Sequence, residues 1–294
     1  MSARPATQTA PSKPVIKEPV WTWEIPFYFY AGGLAGAAAG LSRLAEASGN
    51  DVLARRASGV ALAGAVASPA LLVSDLGKPS RFLHMLRLFK VTSPMSVGSW
   101  VLAAFGSATG LGWLDHATGG RVPAGRAART AAGVLGLPLA SYTAVLVANT
   151  AVPAWHESRR ILPFVFVSGA AASAGAALTA VTPAPYAGPA RRLAVAGAIV
   201  EVALSARMES GLGELSDAYA TGDAHRLGTA AKALLVGGAA VGLGAARSRG
   251  AAAAAGALIT AGAVLARWSV FRAGFTSAAD PRHTVAPQRA RLSS

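Results

Sequence analysis

The sequence predicts an all-α integral membrane protein with about eight transmembrane helices. Of its 294 residues, 53% are apolar and only 14% are charged, whereas a soluble domain usually carries about 25% charged residues. Charges are also missing from long blocks, which cover residues 91–114, 130–156 and 161–190. Because a spanning helix needs roughly 20 mostly apolar residues, these blocks are long enough to cross a bilayer.

Runs with few or no charges predict the eight helices. In chain order they cover about residues 24–45, 55–74, 95–114, 129–150, 160–181, 191–210, 229–246 and 250–271. All are rich in Ala and Gly, small residues that allow helices to approach closely in lipid. Residues 1–20 and 276–294 lack such runs, and we expect them to be disordered tails.

The net charge of +14 arises from 27 Lys and Arg against 13 Asp and Glu. These basic residues lie in the helix connections and tails, where they face membrane lipids and fix topology. The connections on the side of the termini hold more of them, which favours cytoplasmic termini. No recognition motif for nucleic acid accompanies the charge, so we expect no nucleic-acid partner.

Cysteine is absent, which excludes disulfides and cysteine-ligated iron–sulfur clusters within this chain. The histidines lie in connections or tails, whereas axial haem ligands face the interior of a helix bundle. Their positions are His84, His116, His156, His225 and His283. We therefore expect no haem and no metal site, and any redox chemistry would use a diffusible cofactor.

A dense polar stretch separates the second and third apolar runs. Gly77 and Pro79 end the preceding helix, and Ser93 with Pro94 forms the N-cap and first turn of the next. Between them a basic face opposes an apolar stripe at helical spacing, formed by Arg81, His84 and Arg87 and by Phe82, Met85 and Phe89. The connection 75–94 is therefore predicted to hold a short amphipathic helix at the membrane surface.

Two titratable residues of this stretch are candidates for proton transfer. Asp75 ends the second helix, and His84 lies on the amphipathic helix. A carboxylate and an imidazole at one interface could shuttle protons to a quinone oxygen. The alternative is that they are solvated charges that pair with Lys78 or Arg81.

Glu201 lies near the centre of the sixth run. A carboxylate at that depth costs about 2.5–3.5 kcal/mol on insertion scales, so it normally faces the bundle interior. It could serve as a proton relay or as a polar contact for a quinone. It could instead form a structural ion pair with an arginine such as Arg207 or Arg267.

Aromatic residues with polar groups are further candidates. Tyr142 lies deep in its run, so its hydroxyl needs a ligand or an interhelical hydrogen bond. Tyr28 and Tyr30 on the first helix and Trp100 on the third are the others. We expect four other tryptophans at the membrane interfaces, namely Trp21, Trp23, Trp113 and Trp155.

Four segments together resemble a known family. They are WTWEIPFYFYAGGLAGA, DLGKPSRFLHMLR followed by VTSPMSVGSW, SYTAVLVANTAVPAWHESRRILPFVF, and RWSVFRAGFTSAADP. In this order they are similar to the NrfD / polysulfide reductase membrane-subunit family, over about residues 21–283. The pair LG-x-P-x-R-F and SPMS-x-G-x-W is fairly specific, whereas the Ala-rich later helices are not.

The resemblance implies a haem-free membrane anchor of a multisubunit oxidoreductase in the bacterial cytoplasmic membrane. It implies two four-helix bundles, at residues 21–152 and 153–275. Such subunits exchange electrons between membrane quinone, either menaquinone or ubiquinone, and a partner iron–sulfur subunit. That partner serves a molybdopterin catalytic subunit.

By motif position, the resemblance also implies a quinone pocket near a membrane surface. Its predicted lining residues are Tyr28, Tyr30, Arg81, Ser93, Ser96 and Tyr142, with Asp75 and His84 beside them. Tyr142 and His84 would bind the quinone oxygens, Asp75 would exchange protons, and Arg81 would shape the pocket or dock the partner. Glu201 would be a buried relay in the second bundle.

Two other functions are possible for such a chain. One is a secondary transporter or proton channel with Glu201 as its coupling site. Transporters often carry inverted repeats, whereas the two halves of this chain share little beyond helix count. The other is a purely structural anchor without a working quinone site.

Overall fold

The computed structural model describes residues 14–78, 80–244 and 248–285. Within these ranges the protein is helical and contains no β-strand. The helices are α1 (Glu24–Ala47), α2 (Asp51–Asp75), α3 (Ser80–Met85), α4 (Pro94–Ala117), α5 (Gly125–Ala148), α6 (Pro153–Glu157), α7 (Leu162–Val181), α8 (Gly188–Ser210), α9 (Asp217–Ala220), α10 (Gly222–Gly244) and α11 (Arg249–Ala279). Short 3₁₀ turns cover Ser158–Arg160, Ala184–Tyr186 and Gly213–Ser216.

Six helices in the described ranges are long and apolar enough to cross a membrane, namely α2, α4, α5, α7, α10 and α11. The chain is therefore a multi-pass membrane protein, as its composition predicts. Helices α1 and α8 are as long but do not meet this apolar criterion. In α8 the reason is a set of charged side chains, Arg191, Arg192, Glu201, Arg207 and Glu209.

Helix boundaries depend on caps that the apolar runs do not reveal. α2 begins at Asp51 rather than 55, because the Asn50 side chain accepts a hydrogen bond from the Leu53 backbone N–H at 3.1 Å. α4 begins at Pro94 with Ser93 as its N-cap, as predicted. The predicted amphipathic helix is short, since between α2 and α4 only Ser80–Met85 are helical among the described residues.

The C-terminal boundary of the second half needs correction. α11 continues to Ala279, and residues 281–285 are also helical, with His283 and Thr284 buried. Residues 276–279 and 281–285 therefore do not belong to a disordered tail. The reason is a tertiary contact, because the buried Ser277 hydroxyl accepts a hydrogen bond from the Ala154 backbone N–H at 3.2 Å. Residues 1–13 and 286–294 of the two predicted tails lie outside the described residues.

The long helices pack in two sets of neighbours. α1 contacts α2 and α5, and α4 contacts α2 and α5. In the same way, α7 contacts α8 and α11, and α10 contacts α8 and α11. α1 and α7 also pack on each other and join the two sets.

One end of the helix array is formed by the starts of α1, α4, α7 and α10 and the ends of α2, α5, α8 and α11. Hydrogen bonds from Thr22 to Asp75 and from Ala154 to Ser277 link the segments there. We call this the near end. The far end holds the connections α1–α2, α4–α5, α7–α8 and α10–α11.

Glycine permits a close crossing of α1 and α5. Gly36 of α1 faces Gly136 of α5, and a Cβ on either residue would overlap the carbonyl oxygen of the other. In lipid, where apolar side chains alone do not drive association, such close backbone approach supplies the packing.

We predict that Gly36→Ala forces α1 and α5 apart. Overpacking of this kind costs about 1–3 kcal/mol, so the thermal unfolding midpoint of the detergent-solubilised protein should fall. Gly106→Ala in α4 is the matched control, because a Cβ there meets nothing within 4 Å. Equal midpoints for the two variants would contradict the close crossing.

Candidate functional site

A pocket lies at the near end among α1, α2, α4 and α5. It encloses about 600 Å³ of empty space, counting the space at its open mouth. Most of its wall is apolar, with Ile25, Leu72 and Leu102 among the lining residues. The polar side chains that line it are Tyr28, Asp75, Ser99 and Tyr142. Three of these four are predicted site residues, and the structure brings them together.

Both pocket tyrosines hold their hydroxyls free. The side chains of Tyr28 and Tyr142 are buried, yet neither hydroxyl makes a hydrogen bond to any residue the structure describes. The interhelical bond considered for Tyr142 is therefore not seen in this part of the chain. Gly98 makes the room for Tyr142, because a Cβ at residue 98 would overlap the phenol ring and its oxygen. This glycine belongs to the segment SPMS-x-G-x-W.

Asp75 is held at the edge of the pocket by Thr22. Its Oδ1 accepts hydrogen bonds from the Thr22 backbone N–H at 3.2 Å and from the Thr22 hydroxyl at 2.8 Å. The same hydroxyl contacts the Glu24 carboxylate. Among the described residues, Asp75 forms no ion pair with Lys78 or Arg81. The carboxylate is half-buried, so it reaches both the pocket and the surface.

Other predicted residues lie outside the pocket. Arg81 and His84 are exposed on α3, and Arg81 donates to the Leu76 carbonyl at 3.4 Å. The Ser93 side chain caps α4 by accepting a bond from the Ser96 N–H. The Ser96 hydroxyl in turn donates to the Leu88 carbonyl at 2.8 Å. Their proposed roles toward a quinone stay predictions.

Tyr30 faces the other set of helices. Its hydroxyl lies beside Ser173 of α7 and Thr260 of α11, close to Arg267. Two residues apart on a helix, Tyr28 and Tyr30 point in nearly opposite directions. That spacing is the sequence signal that separates them.

Trp21 and Trp155 form part of the site that the sequence did not indicate. Trp21 lines the pocket, and its ring stacks on Trp155 with 5.3 Å between centroids. Trp155 was expected at a membrane interface, but it is buried within the protein, and its Nε1 donates to the Val270 carbonyl at 2.7 Å. Gly274 leaves space for its ring, a contact too distant in sequence to predict.

A buried ion pair lies between α8 and α11. Arg267 Nη1 donates to Glu201 Oε1 at 2.7 Å, and the two side chains are 2% and 0% exposed. Arg267 Nη2 also donates to the Phe166 carbonyl at 3.0 Å. Of the two arginines considered for Glu201, Arg267 is the partner, and Arg207 is exposed.

The ion pair leaves two buried polar atoms without a hydrogen bond. Glu201 Oε2 and Arg267 Nε are buried without a hydrogen-bond partner among the described residues. Gly169 of α7 leaves space for both side chains, since a Cβ there would overlap Glu201 Oε1 and Arg267 Nη2. No group of three or more His, Asp or Glu in the described ranges could hold a metal ion.

We predict that Arg267→Met destabilises the protein strongly. Removing one partner of a buried pair typically costs about 3–5 kcal/mol, because the remaining charge is left uncompensated. The thermal unfolding midpoint in detergent measures this. The exposed Arg207→Met is the control and should change little.

The double variant Glu201→Gln/Arg267→Met removes both charges. We expect it to be more stable than Arg267→Met alone. If it is equally unstable, the loss comes from packing of the arginine stem and not from the unpaired carboxylate.

Comparison with known proteins adds one finding. A family model described as polysulfide reductase, of the NrfD type, matches residues 14–280. This range contains α1 to α11, and with them the residues of the pocket and of the buried ion pair. No curated protein and no solved structure matches the chain.

Proposed function

The chain belongs to the NrfD / polysulfide reductase family, and from this premise we propose that it is the quinone-binding membrane anchor of a multisubunit oxidoreductase. It exchanges electrons between the quinone pool, menaquinone or ubiquinone, and a partner iron–sulfur subunit. That subunit serves a molybdopterin catalytic subunit. The complex sits in the bacterial cytoplasmic membrane.

The proposal rests mainly on the near-end pocket. A quinone ring needs a flat apolar slot with hydrogen-bond donors for its two carbonyl oxygens. The pocket offers apolar walls and the free hydroxyls of Tyr28 and Tyr142.

The residues of the pocket have different roles toward a bound quinone. A bound quinone supplies two-electron, two-proton redox chemistry. The Tyr28 and Tyr142 hydroxyls donate hydrogen bonds that bind and orient the ring. Asp75, held by Thr22, carries protons between the pocket and the surface at its carboxylate oxygens. The Trp21 ring narrows the opening and limits water access.

The position of the pocket indicates where the partner docks. Electron exchange with the partner takes place at the near end in this proposal, because the pocket lies there. Arg81 and His84 are exposed on α3 beside it, so they suit a docking role better than a lining role. The carboxylates of an iron–sulfur protein would complement Arg81.

We also propose that α1 and α8 span the membrane, which gives eight spans in two four-helix bundles. α1 carries charges only at its ends, at Glu24, Arg43 and Glu46. In α8 the central charge of Glu201 is paired with Arg267. Both helices lie against four or more neighbouring elements, so these charges need not face lipid.

A proton-conducting or transport function remains the second candidate. The unpartnered Oε2 of Glu201 favours it, because a buried carboxylate oxygen without a donor can accept a proton. In that case Glu201→Gln abolishes proton movement, while quinone reactivity is retained.

We predict that Tyr142→Phe and Asp75→Asn lower quinone turnover by the purified native complex. Loss of one hydrogen bond of about 1–1.5 kcal/mol reduces the rate roughly tenfold. Loss of the proton carrier reduces it by about a hundredfold or more. Turnover is followed by quinol absorbance, with subunit composition checked on each preparation.

Tyr186→Phe is the control, because Tyr186 is exposed at the far end. It should leave turnover unchanged. If all variants keep normal turnover in an assembled complex, the chain is a purely structural anchor.

We further predict that Gly98→Ala lowers quinone occupancy more than Tyr142→Phe. The added Cβ would take the place of the Tyr142 ring, so the ring must leave its position. Quinone extracted per mole of purified complex measures the effect. Gly110→Ala in the same helix meets nothing within 4 Å and should retain full occupancy.

A further inference from the structure

A second cleft opens at the far end, on the opposite side of the helix array from the quinone pocket. It lies where α7 ends and where α8 and α11 begin. It encloses about 1290 Å³ of empty space, counting its open mouth. The polar side chains discussed below, Thr182, Arg191 and Arg249, all line it.

The cleft is positively charged without compensation. Arg191 and Arg249 line it, and no acidic residue does. Within the described ranges, neither arginine forms an ion pair. Arg191 is half-buried, so part of its guanidinium hydration is already lost. Guanidinium groups match the oxygens of a phosphate bidentately and bind it more tightly than neutral donors do.

A buried hydroxyl supplies an independent sign of a ligand. Thr182 is only 6% exposed, and its Oγ1 has no hydrogen-bond partner among the residues described. A buried polar atom of this kind normally has a partner. Since Thr182 lines the cleft, a ligand oxygen there can accept a hydrogen bond from its hydroxyl.

The start of α8 lies beside the cleft, because Ala187 lines it. Ala187 occupies the N-cap, so no side chain caps this helix. The first-turn N–H groups of a helix lack internal partners and carry a partial positive charge. An anion at an uncapped N-terminus satisfies both conditions.

Apart from Thr179 and Ser248, the remaining wall is apolar, with Val181, Ala252 and Ala253 among its residues. These residues belong to α7 and α11, two of the apolar spans. The cleft therefore joins an anion site to lipid-facing helix ends, at the level where headgroups lie. Basic pockets between transmembrane helices bind anionic headgroups in this way.

We propose that this far-end cleft binds a phosphate group, held by Arg191, Arg249 and the Thr182 hydroxyl. Two sources present this group at the membrane surface, an anionic phospholipid headgroup and free phosphate. The site is separate from the quinone pocket, and its occupancy does not depend on redox function.

The test measures binding of two probes to the full chain purified in detergent. Native mass spectrometry follows phosphatidylglycerol, and titration calorimetry follows inorganic phosphate. The variant Arg191→Gln/Arg249→Gln should weaken binding at least about tenfold. Each basic residue near an anionic lipid raises the binding affinity about fivefold. Arg192→Gln is the matched control, because Arg192 is the exposed neighbour on α8.

Two further variants distinguish loss of the site from misfolding. Arg191→Lys/Arg249→Lys keeps the charge and should retain most of the binding. Thr182→Val should weaken it by a smaller factor. Each variant is compared by size-exclusion profile and unfolding midpoint.

Each outcome decides the proposal. Loss of phosphatidylglycerol in the double Gln variant, with Arg192→Gln unaffected, supports a lipid headgroup. The same loss for inorganic phosphate alone supports free phosphate. Equal loss in Arg192→Gln, or unchanged binding of both probes in Arg191→Gln/Arg249→Gln and in Thr182→Val, overturns the site.

Discussion

The rest of the structure depends on how closely the backbones of α1 and α5 approach. Gly36 and Gly136 meet at this crossing without side chains between them. In lipid there is no hydrophobic driving force between apolar side chains. Close backbone packing of this kind therefore holds the first set of helices together. The same crossing brings Tyr28 of α1 and Tyr142 of α5 to one pocket. Packing and site geometry thus share one cause.

Large polar side chains inside the array also fit because glycine lies opposite them. Gly98 makes room for the Tyr142 phenol, and Gly169 makes room for the pair of Glu201 and Arg267. In each case a residue without a side chain lies opposite a large polar one. The phenol keeps a free hydroxyl toward the pocket, whereas the ion pair lies buried between α8 and α11. The two sites are therefore built alike but differ in access.

Much of this could be predicted from the sequence, for stated reasons. Charge-free runs reveal spans because lipid tolerates few charges, and Ser93 before Pro94 marks a helix start. Tyr28, Asp75 and Tyr142 converge where motif positions placed them. Contacts between distant segments could not be predicted, since nothing local encodes them. Trp155 is buried because of Gly274, and Glu201 pairs with an arginine 66 positions away rather than with one six positions away.

The stack of Trp21 on Trp155 links the pocket to the second half of the chain. Trp21 belongs to the pocket, while Trp155 is anchored to the backbone of α11 through Val270. One lining residue of the pocket, Trp21, is thus supported through Trp155 by α11. A gene cut between the two halves would yield a first half whose pocket lacks its support.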